Sequence, residues 1–531
     1  MLTKQLPLQA CVGLQLALSG ALSAQPGTLD PDFNGAGYVV TPVNNGDNAQ
    51  KILVQPDQKV LTVGMSFDAT FTSRAQVFRY LPDGTLDTDF GTDGGFTYTL
   101  DFEANLYSAA LTSEGKIVLV GSTTDYQTYR VLLIRLNADG TLDNDFGTGG
   151  VVAQAVTEVS AFGEDKGFDL TLDADGNILV AGTSFSADYV DRPVVLRFTP
   201  AGALDTSFGT NGVATIPVGE YPCDFKAIAV QPDGKIVAAG TYGSGLQWWV
   251  FLLARFEADG SLDSGFGTNG VVQYNYGNVD DEAEDLALLP DGSILVAGFT
   301  ATQSFNYSAL LMKFTPEGIL DATFSEDGIV EEDLDQYDYA AMVEVQTDGR
   351  VVMAGTSGEG PPNAFDMAVW KYNADGSRDL SFGNGGVAQP VLPGYSAMIY
   401  GMDLQADGNI VIGGQARTPE NQNHFLTARL RNDLVSGVEA NAATGKEVLF
   451  PNPAVAGTSV VWQLHVGVDG RARLSIIAGD GRRVAEFQAN GLQRVQDGLR
   501  VDLPANMVPG AYRMTLDLRG ERSSVQLIIT E

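Results

Sequence analysis

The stretch Asp83-Gly-Thr-Leu-Asp-Thr-Asp-Phe-Gly91 returns almost unchanged as Asp139-Gly-Thr-Leu-Asp-Asn-Asp-Phe-Gly147. A shorter form, Gly27-Thr-Leu-Asp-Pro-Asp-Phe33, precedes both, and substituted forms surround Phe208, Phe266, Phe324 and Phe382. The phenylalanines Phe33, Phe90, Phe146, Phe208, Phe266, Phe324 and Phe382 are spaced 57, 56, 62, 58, 58 and 58 residues apart. A second string alternates with the first: Gln231-Pro-Asp-Gly-Lys-Ile-Val-Ala-Ala-Gly240, with relatives ending at Gly64, Gly121, Gly182, Gly298, Gly355 and Gly414. A fixed period of this length marks a repeat architecture.

One unit, 104–156, resolves into four short strands: Tyr107–Leu111, Lys116–Gly121, Val131–Leu136 and Val151–Ala155. β-Branched content and glycine-bounded lengths favour strands, and no segment sustains a helical period. The Asp-Gly pairs have the chemistry of tight turns. Four strands repeated seven times predict a β-propeller. The ends fit ring closure. The chain opens with only the last motif and strand of a unit (Gly27–Thr41), and the final unit supplies three strands (Met402–Leu404, Asn409–Gly414, Phe425–Arg431) without that motif. Together they complete one blade and remove two exposed sheet edges. The expected fold is all-β: a seven-bladed propeller of four-stranded blades over 25–434, followed by a small Ig-like β-sandwich.

The recurring Leu-Asp-x-x-Phe-Gly and Asp-Gly-Lys-Ile-x-x-x-Gly pattern resembles the delta-60 repeat family of β-propeller repeats. The resemblance implies a fold and no particular activity.

Composition narrows the function classes. The chain has 531 residues, 31 Lys+Arg against 66 Asp+Glu, and a formal charge of −35. Such an acidic excess repels phosphate backbones, so no nucleic-acid partner is expected. With two His and two Cys, zinc centres, cysteine nucleophiles and Ser-His-Asp triads lack their raw material. No metal site or cofactor is assigned, although structural calcium stays compatible with the acidic excess. The Asp173-Ala-Asp-Gly type of stretch lacks the bidentate Glu of a calcium loop in most copies and reads as a turn.

Each third strand ends in a basic residue: Arg79, Arg135, Arg197, Arg255, Lys313, Lys371 and Arg429. Each Leu-Asp turn carries an acid: Asp30, Asp87, Asp143, Asp205, Asp263, Asp321 and Asp379. Seven structural ion pairs are expected, with the recurrent phenylalanines tying blades together. The loops on this face repeat. Those on the other face vary, including Thr157–Phe168, Ile216–Asp224, Tyr274–Glu284, Phe299–Ser308 and Glu331–Tyr339. Binding residues concentrate on loops carried by a rigid scaffold. The candidate ligand face is therefore Tyr189, Tyr242, Trp248, Tyr276, Tyr307 and Tyr337 with Asp281 and Glu332. An aromatic and acidic face suits a glycan, a peptide or a cation. No catalytic pair stands out. A binding or adhesion module is the leading expectation, and a carboxylate-dependent enzyme such as a glycoside hydrolase or lyase is the alternative, because that chemistry needs only two acids.

The ends carry address signals. Lys4, the apolar run Ala10–Leu22 and the closing Leu22-Ser-Ala24 read as a secretory signal over 1–24. Cys11 would leave with it, so Cys223 would have no intramolecular disulfide partner. No later segment offers about 20 consecutive apolar residues, so no transmembrane segment is expected. After the linker 435–447, the segment 448–531 alternates in short strands. It looks like the type A C-terminal sorting domain of the type IX secretion system, on Pro451-Asn452-Pro453, Gly481-Arg482, and Gly510 with Tyr512. That resemblance implies a translocon and a sortase-like peptidase as partners, in a Bacteroidetes-type bacterium. It implies a protein secreted or attached to the outer-membrane surface. A monomer is expected.

Overall fold

The apolar runs that follow each Asp-Gly turn are extended and paired, as their β-branched residues favour. The computed structural model describes residues 25–432, apart from 45, 100–102, 126–127, 157–164, 186–189, 218, 245–248, 278–279, 302–305 and 361–364, and separate strands between 449 and 530. The signal segment 1–24 and the linker 435–447 lie outside the described residues.

Seven antiparallel blades follow one another. Blade 2 shows the plan: Glu103–Leu111 innermost, then Ile117–Thr124, Tyr129–Leu136 and Val151–Gln154. The other innermost strands are Gly46–Val54, Lys166–Leu172, Cys223–Val230, Asp281–Leu288, Tyr337–Val345 and Ser396–Leu404 for blades 1, 3, 4, 5, 6 and 7. Blade 7 takes its outermost strand from the start of the chain, with Tyr38 opposite Ala428 and Thr41 opposite Phe425. The ring is therefore closed by a strand from the opposite end of the sequence.

The core lies between blades. Leu61, Val63 and Val77 of blade 1 pack on Leu106, Leu119 and Leu132 of blade 2, and equivalent clusters fill every junction around to blades 7 and 1, where Ile52 and Tyr80 meet Phe425. Each junction is stapled at its constant end. The basic residue reaches the turn acid of its own blade in all seven copies: Arg79–Asp87 at 2.7 Å, Arg135–Asp143 at 2.6 Å, Arg197–Asp205 at 2.8 Å, Arg255–Asp263 at 2.7 Å, Lys313–Asp321 at 2.9 Å, Lys371–Asp379 at 3.5 Å and Arg429–Asp30 at 2.7 Å. The same cation covers the face of the recurrent phenylalanine, from 4.4 Å at Arg79 over Phe90 to 6.0 Å at Lys313 over Phe324. The guanidinium then donates to a backbone carbonyl of the next blade, as Arg197 does to Ala258 at 2.7 Å and Arg429 to Pro82 at 2.6 Å. The turn glycine of that next blade rests on the ring: a Cβ on Gly140, at φ +85°, would stand 2.8 Å from Phe90. That contact, with the positive φ, accounts for glycine rather than any other residue at this turn. Full burial of each ring stabilises its junction by roughly 1.5–3 kcal/mol.

The innermost strands begin earlier than the sequence pattern indicates. Phe168, Asp224, Glu282, Glu284 and Tyr339, read above as loop, belong to innermost strands. One flank of these strands faces a central channel rather than apolar side chains, so it need not be apolar and the usual alternation is lost.

Beyond the propeller, Leu449–Phe450, Ser459–Gln463, Gly498–Asp502 and Gln493–Val495 pair in one sheet. Ala454–Val455, Glu521–Thr530, Gly510–Leu518, Arg473–Ala478 and Arg483–Gln488 pair in another. Gly510 and Tyr512 fall in a strand, with Tyr512 opposite Leu527. Pro451, Asn452, Pro453, Gly481 and Arg482 lie outside the described residues.

Candidate functional site

Structural positions of the repeat hold the same residue type blade after blade. The inner strands do not, and there the geometry is distinctive. Every innermost strand carries a β-bulge at the same height, and the extra residues are Gln50, Tyr107, Phe168, Lys226, Glu284, Ala341 and Tyr400. A bulge breaks the ladder and re-aims a side chain. Here all seven face a cavity of about 240 Å³ on the channel axis, whose lining comes entirely from the innermost strands.

The channel is strongly charged. Lys51 lies in the field of Asp169, Asp285, Glu344 and Asp403, and Lys226 in that of Glu284, Asp224 and Glu282. Lys226 Nζ stands 4.6 Å from the centre of the Phe168 ring and 3.8 Å from Asp224 Oδ2. Three of the carboxylates also brace the ring, because each accepts a backbone N–H from the next blade: Asp169 from Ile228 at 3.0 Å, Asp285 from Val343 at 2.8 Å and Asp403 from Val54 at 2.7 Å. Burial pushes Asp285 up to about 7 against the pull of Lys51 and the Val343 N–H. Burial first, and Asp403 second, push Glu344 up to about 8. Glu282 rises to about 7 through burial and the neighbouring Glu284. Burial alone would lower Lys51, but the four carboxylates around it outweigh that and hold it raised.

At the variable end, above blades 5 and 6, five half-buried aromatic rings form one cluster. Phe299 meets Tyr339 at 4.9 Å, Tyr307 meets Tyr339 at 5.0 Å, Tyr307 stacks on Tyr337 at 5.6 Å, and Phe365 meets Tyr337 edge-on at 6.2 Å. Each such pair contributes about 0.5–1.5 kcal/mol beyond burial, so the rings are held before any ligand arrives. Gly360, at φ +76°, leaves room for them: a Cβ there would come within 2.2 Å of the Tyr337 ring. Tyr339 is raised by burial first, and feels Glu282 as well, which places the cluster beside the channel carboxylates.

The residues singled out in the sequence divide accordingly. Tyr307 and Tyr337 lie in the cluster. Tyr242 packs on the apolar junction of blades 3 and 4. Tyr276 packs between blades 4 and 5, with its hydroxyl donating to Glu331 at 2.9 Å. Asp281 is fully buried and accepts the Tyr276 N–H at 2.7 Å and the Thr300 hydroxyl at 2.6 Å, a clamp that Asp47 and Asp165 repeat in other blades. Glu332 is buried too, accepting from the Tyr372 hydroxyl at 2.9 Å and from Arg378. Neither Asp281 nor Glu332 presents a carboxylate to the ligand face, since an acid that caps backbone and hydroxyl donors is turned inward. Tyr189 and Trp248 lie outside the described residues. Asp173, in the calcium-like stretch, spends its Oδ1 on the N–H groups of Asp175 and Asn177, the chemistry of a turn. Sequence reading passed over Lys51, Tyr107, Asp169, Lys226, Asp285, Glu344, Tyr400 and Asp403. The signal available was the position just before the bulge partner, which differs in type from copy to copy.

Comparison with known proteins separates the same two zones. The family model described as a domain of unknown function (DUF5122) beta-propeller matches 55–90, 112–146, 174–208, 231–266, 289–324, 346–382 and 405–434. The first six matches run from the turn after an innermost strand to the stapling phenylalanine, so every innermost strand lies outside them. Among solved structures, the chain is similar to a glucose dehydrogenase, with 12% identity, 60% of this chain and 95% of that one covered, and a TM-score of 0.34. It is also similar to the endo-arabinase of Bacteroides thetaiotaomicron, at 10% identity, 61% and 92% coverage and a TM-score of 0.28. A Bacillus subtilis arabinanase gives 11% identity, 61% and 92% coverage and a TM-score of 0.27. No curated protein matches the chain. With seven copies of the DUF5122 repeat closed into seven four-stranded blades, the chain is a repeat β-propeller protein.

Proposed function

We propose that this propeller is a binding module, secreted or held at the cell surface, whose extracellular glycan or peptide ligand docks on the aromatic rim of blades 5 and 6. The observation that carries the reading is the pre-packed cluster of Phe299, Tyr307, Tyr337, Tyr339 and Phe365. Partly exposed, rigid aromatics bind at low entropic cost and are the residue type that dominates recognition surfaces. Export through a type IX secretion system by way of 448–531, after a signal over 1–24, belongs to the same proposal and rests on the motif resemblance.

A carboxylate-dependent hydrolase is the second reading, favoured by the raised Glu282, since a general acid must keep its proton near neutral pH. One experiment weighs both. The full chain is probed on glycan and basic-peptide arrays, beside polysaccharide turnover assays. The expected result is array binding weakened by about tenfold or more in Tyr307→Ala/Tyr337→Ala, without turnover. Turnover abolished by Glu282→Gln would replace the binding reading with the enzymatic one. For export, deletion of 448–531 is expected to retain the protein inside the cell; unchanged surface delivery would remove the sorting role.

A further inference from the structure

We propose that the central channel is itself a binding site, for a small linear organic cation carrying primary ammonium groups. This site is separate from the rim and does not depend on the rim's ligand. The cavity of about 240 Å³ is enclosed by the innermost strands of all seven blades. It corresponds to about eight liquid waters, room for a chain of about six or seven heavy atoms.

Its wall is not an acidic cluster alone. The seven bulges insert residues that the sheets do not need, and the inserted types are mixed, with Tyr107, Phe168 and Tyr400 supplying rings and Glu284 a charge. The chain also shows what this wall recognises. The side chain of Lys226 is an alkylammonium, and it sits with its Nζ 4.6 Å over Phe168 and 3.8 Å from Asp224. Ring face plus carboxylate is how organic ammonium ions are held.

The charge balance calls for more of the same ion. Lys51 lies in the field of four carboxylates and Lys226 in that of three, so carboxylates outnumber cations in the channel. Burial holds several of these acids raised, in keeping with that shortage. Among the described residues, no three His, Cys, Asp or Glu side chains converge as ligands for a metal ion. Carboxylates spread along a channel fit a cation whose charges are themselves spread along a chain. A linear diamine meets that requirement, with one ammonium near Glu284 and the other toward Asp285 and Asp169, and its methylenes against the rings.

The test is calorimetric titration of the full chain with diaminobutane, in parallel with butanediol and with calcium chloride. The expected result is saturable one-to-one diamine binding, no binding of the diol, and loss of about tenfold or more in affinity in Glu284→Gln. Phe168→Leu, which removes the ring and keeps an apolar side chain, provides a second variant should Glu284→Gln not fold. It is expected to weaken binding about threefold or more. Asp32→Asn makes the same charge change on an exposed outer residue and should leave the affinity unchanged. Diol binding equal to the diamine, an affinity indifferent to both channel variants, calcium binding that outcompetes the diamine, or no saturable heat from folded protein would each overturn the inference. Loss of array binding in the rim variants with diamine binding intact would leave this site standing, and the reverse result would leave the rim standing.

Discussion

Arg135 shows how much one residue of the repeat does. Its Nε donates to Asp143 at 2.6 Å, its guanidinium covers Phe146 at 4.6 Å, and it reaches the Pro200 carbonyl of the next blade. Arg135→Ala leaves Asp143 buried with only Lys116 as cationic partner, and is expected to cost about 3 kcal/mol in urea unfolding. Arg135→Lys should cost less, because Lys313 and Lys371 fill the same post. An alanine cost under about 1 kcal/mol would demote the staple to a surface pair. These pairs also set the acid limit. Asp263, Asp321 and Asp379 are held down to about 2, burial opposing and bonds from serine, threonine, lysine or arginine lowering them. The native state then binds fewer protons than the unfolded chain, so their contribution is present above about pH 4 and lost as pH falls toward 2. The staple was legible in the sequence because seven copies acted as an internal alignment. Lys51 and Glu344 were not, since neither recurs.

At the scale of the element, the strand Tyr38–Thr41 carries the closure. It pairs with Asn423–Leu430 and brings Phe33 under Arg429 at 5.0 Å. Removing residues 25–41 deletes a fully buried phenylalanine and exposes a sheet edge; an expected loss is at least about 4 kcal/mol, with new self-association. Calorimetry and light scattering check this. A truncated chain that melts like the intact one and stays monodisperse would mean the ring does not depend on that strand. Strand number and order followed from Asp-Gly turns and the fixed period, but strand length did not. Glu282 and Glu284 sit in one extended element with Asp285, yet read as a polar loop, because a bulge puts successive residues on the same side and the channel tolerates charge.

For the whole molecule, with its charge of −35, two sets of acids respond to pH in opposite ways. At the constant end, acids are matched with cations in a way that resists acid. In the channel, Glu344 at about 8, with Asp285 and Glu282 at about 7, are raised, so the native state binds more protons than the unfolded chain between about pH 4.5 and 8. Stability should therefore fall as pH rises through that window. The melting temperature at about pH 5.5 is expected to exceed that at about pH 8.5, with Glu344→Gln flattening the slope; a flat or rising profile in the parent protein would contradict the channel electrostatics. The central claim is that the repeat builds the scaffold and recognition sits where the repeat breaks off. Its most direct measurement is the dissociation constant for the strongest array ligand, compared between Tyr307→Ala/Tyr337→Ala and Arg197→Lys. The account predicts that the rim variant, though still folded, loses about tenfold or more in affinity, while the staple variant loses stability at unchanged affinity. Equal affinity in the parent protein and the rim variant would contradict it.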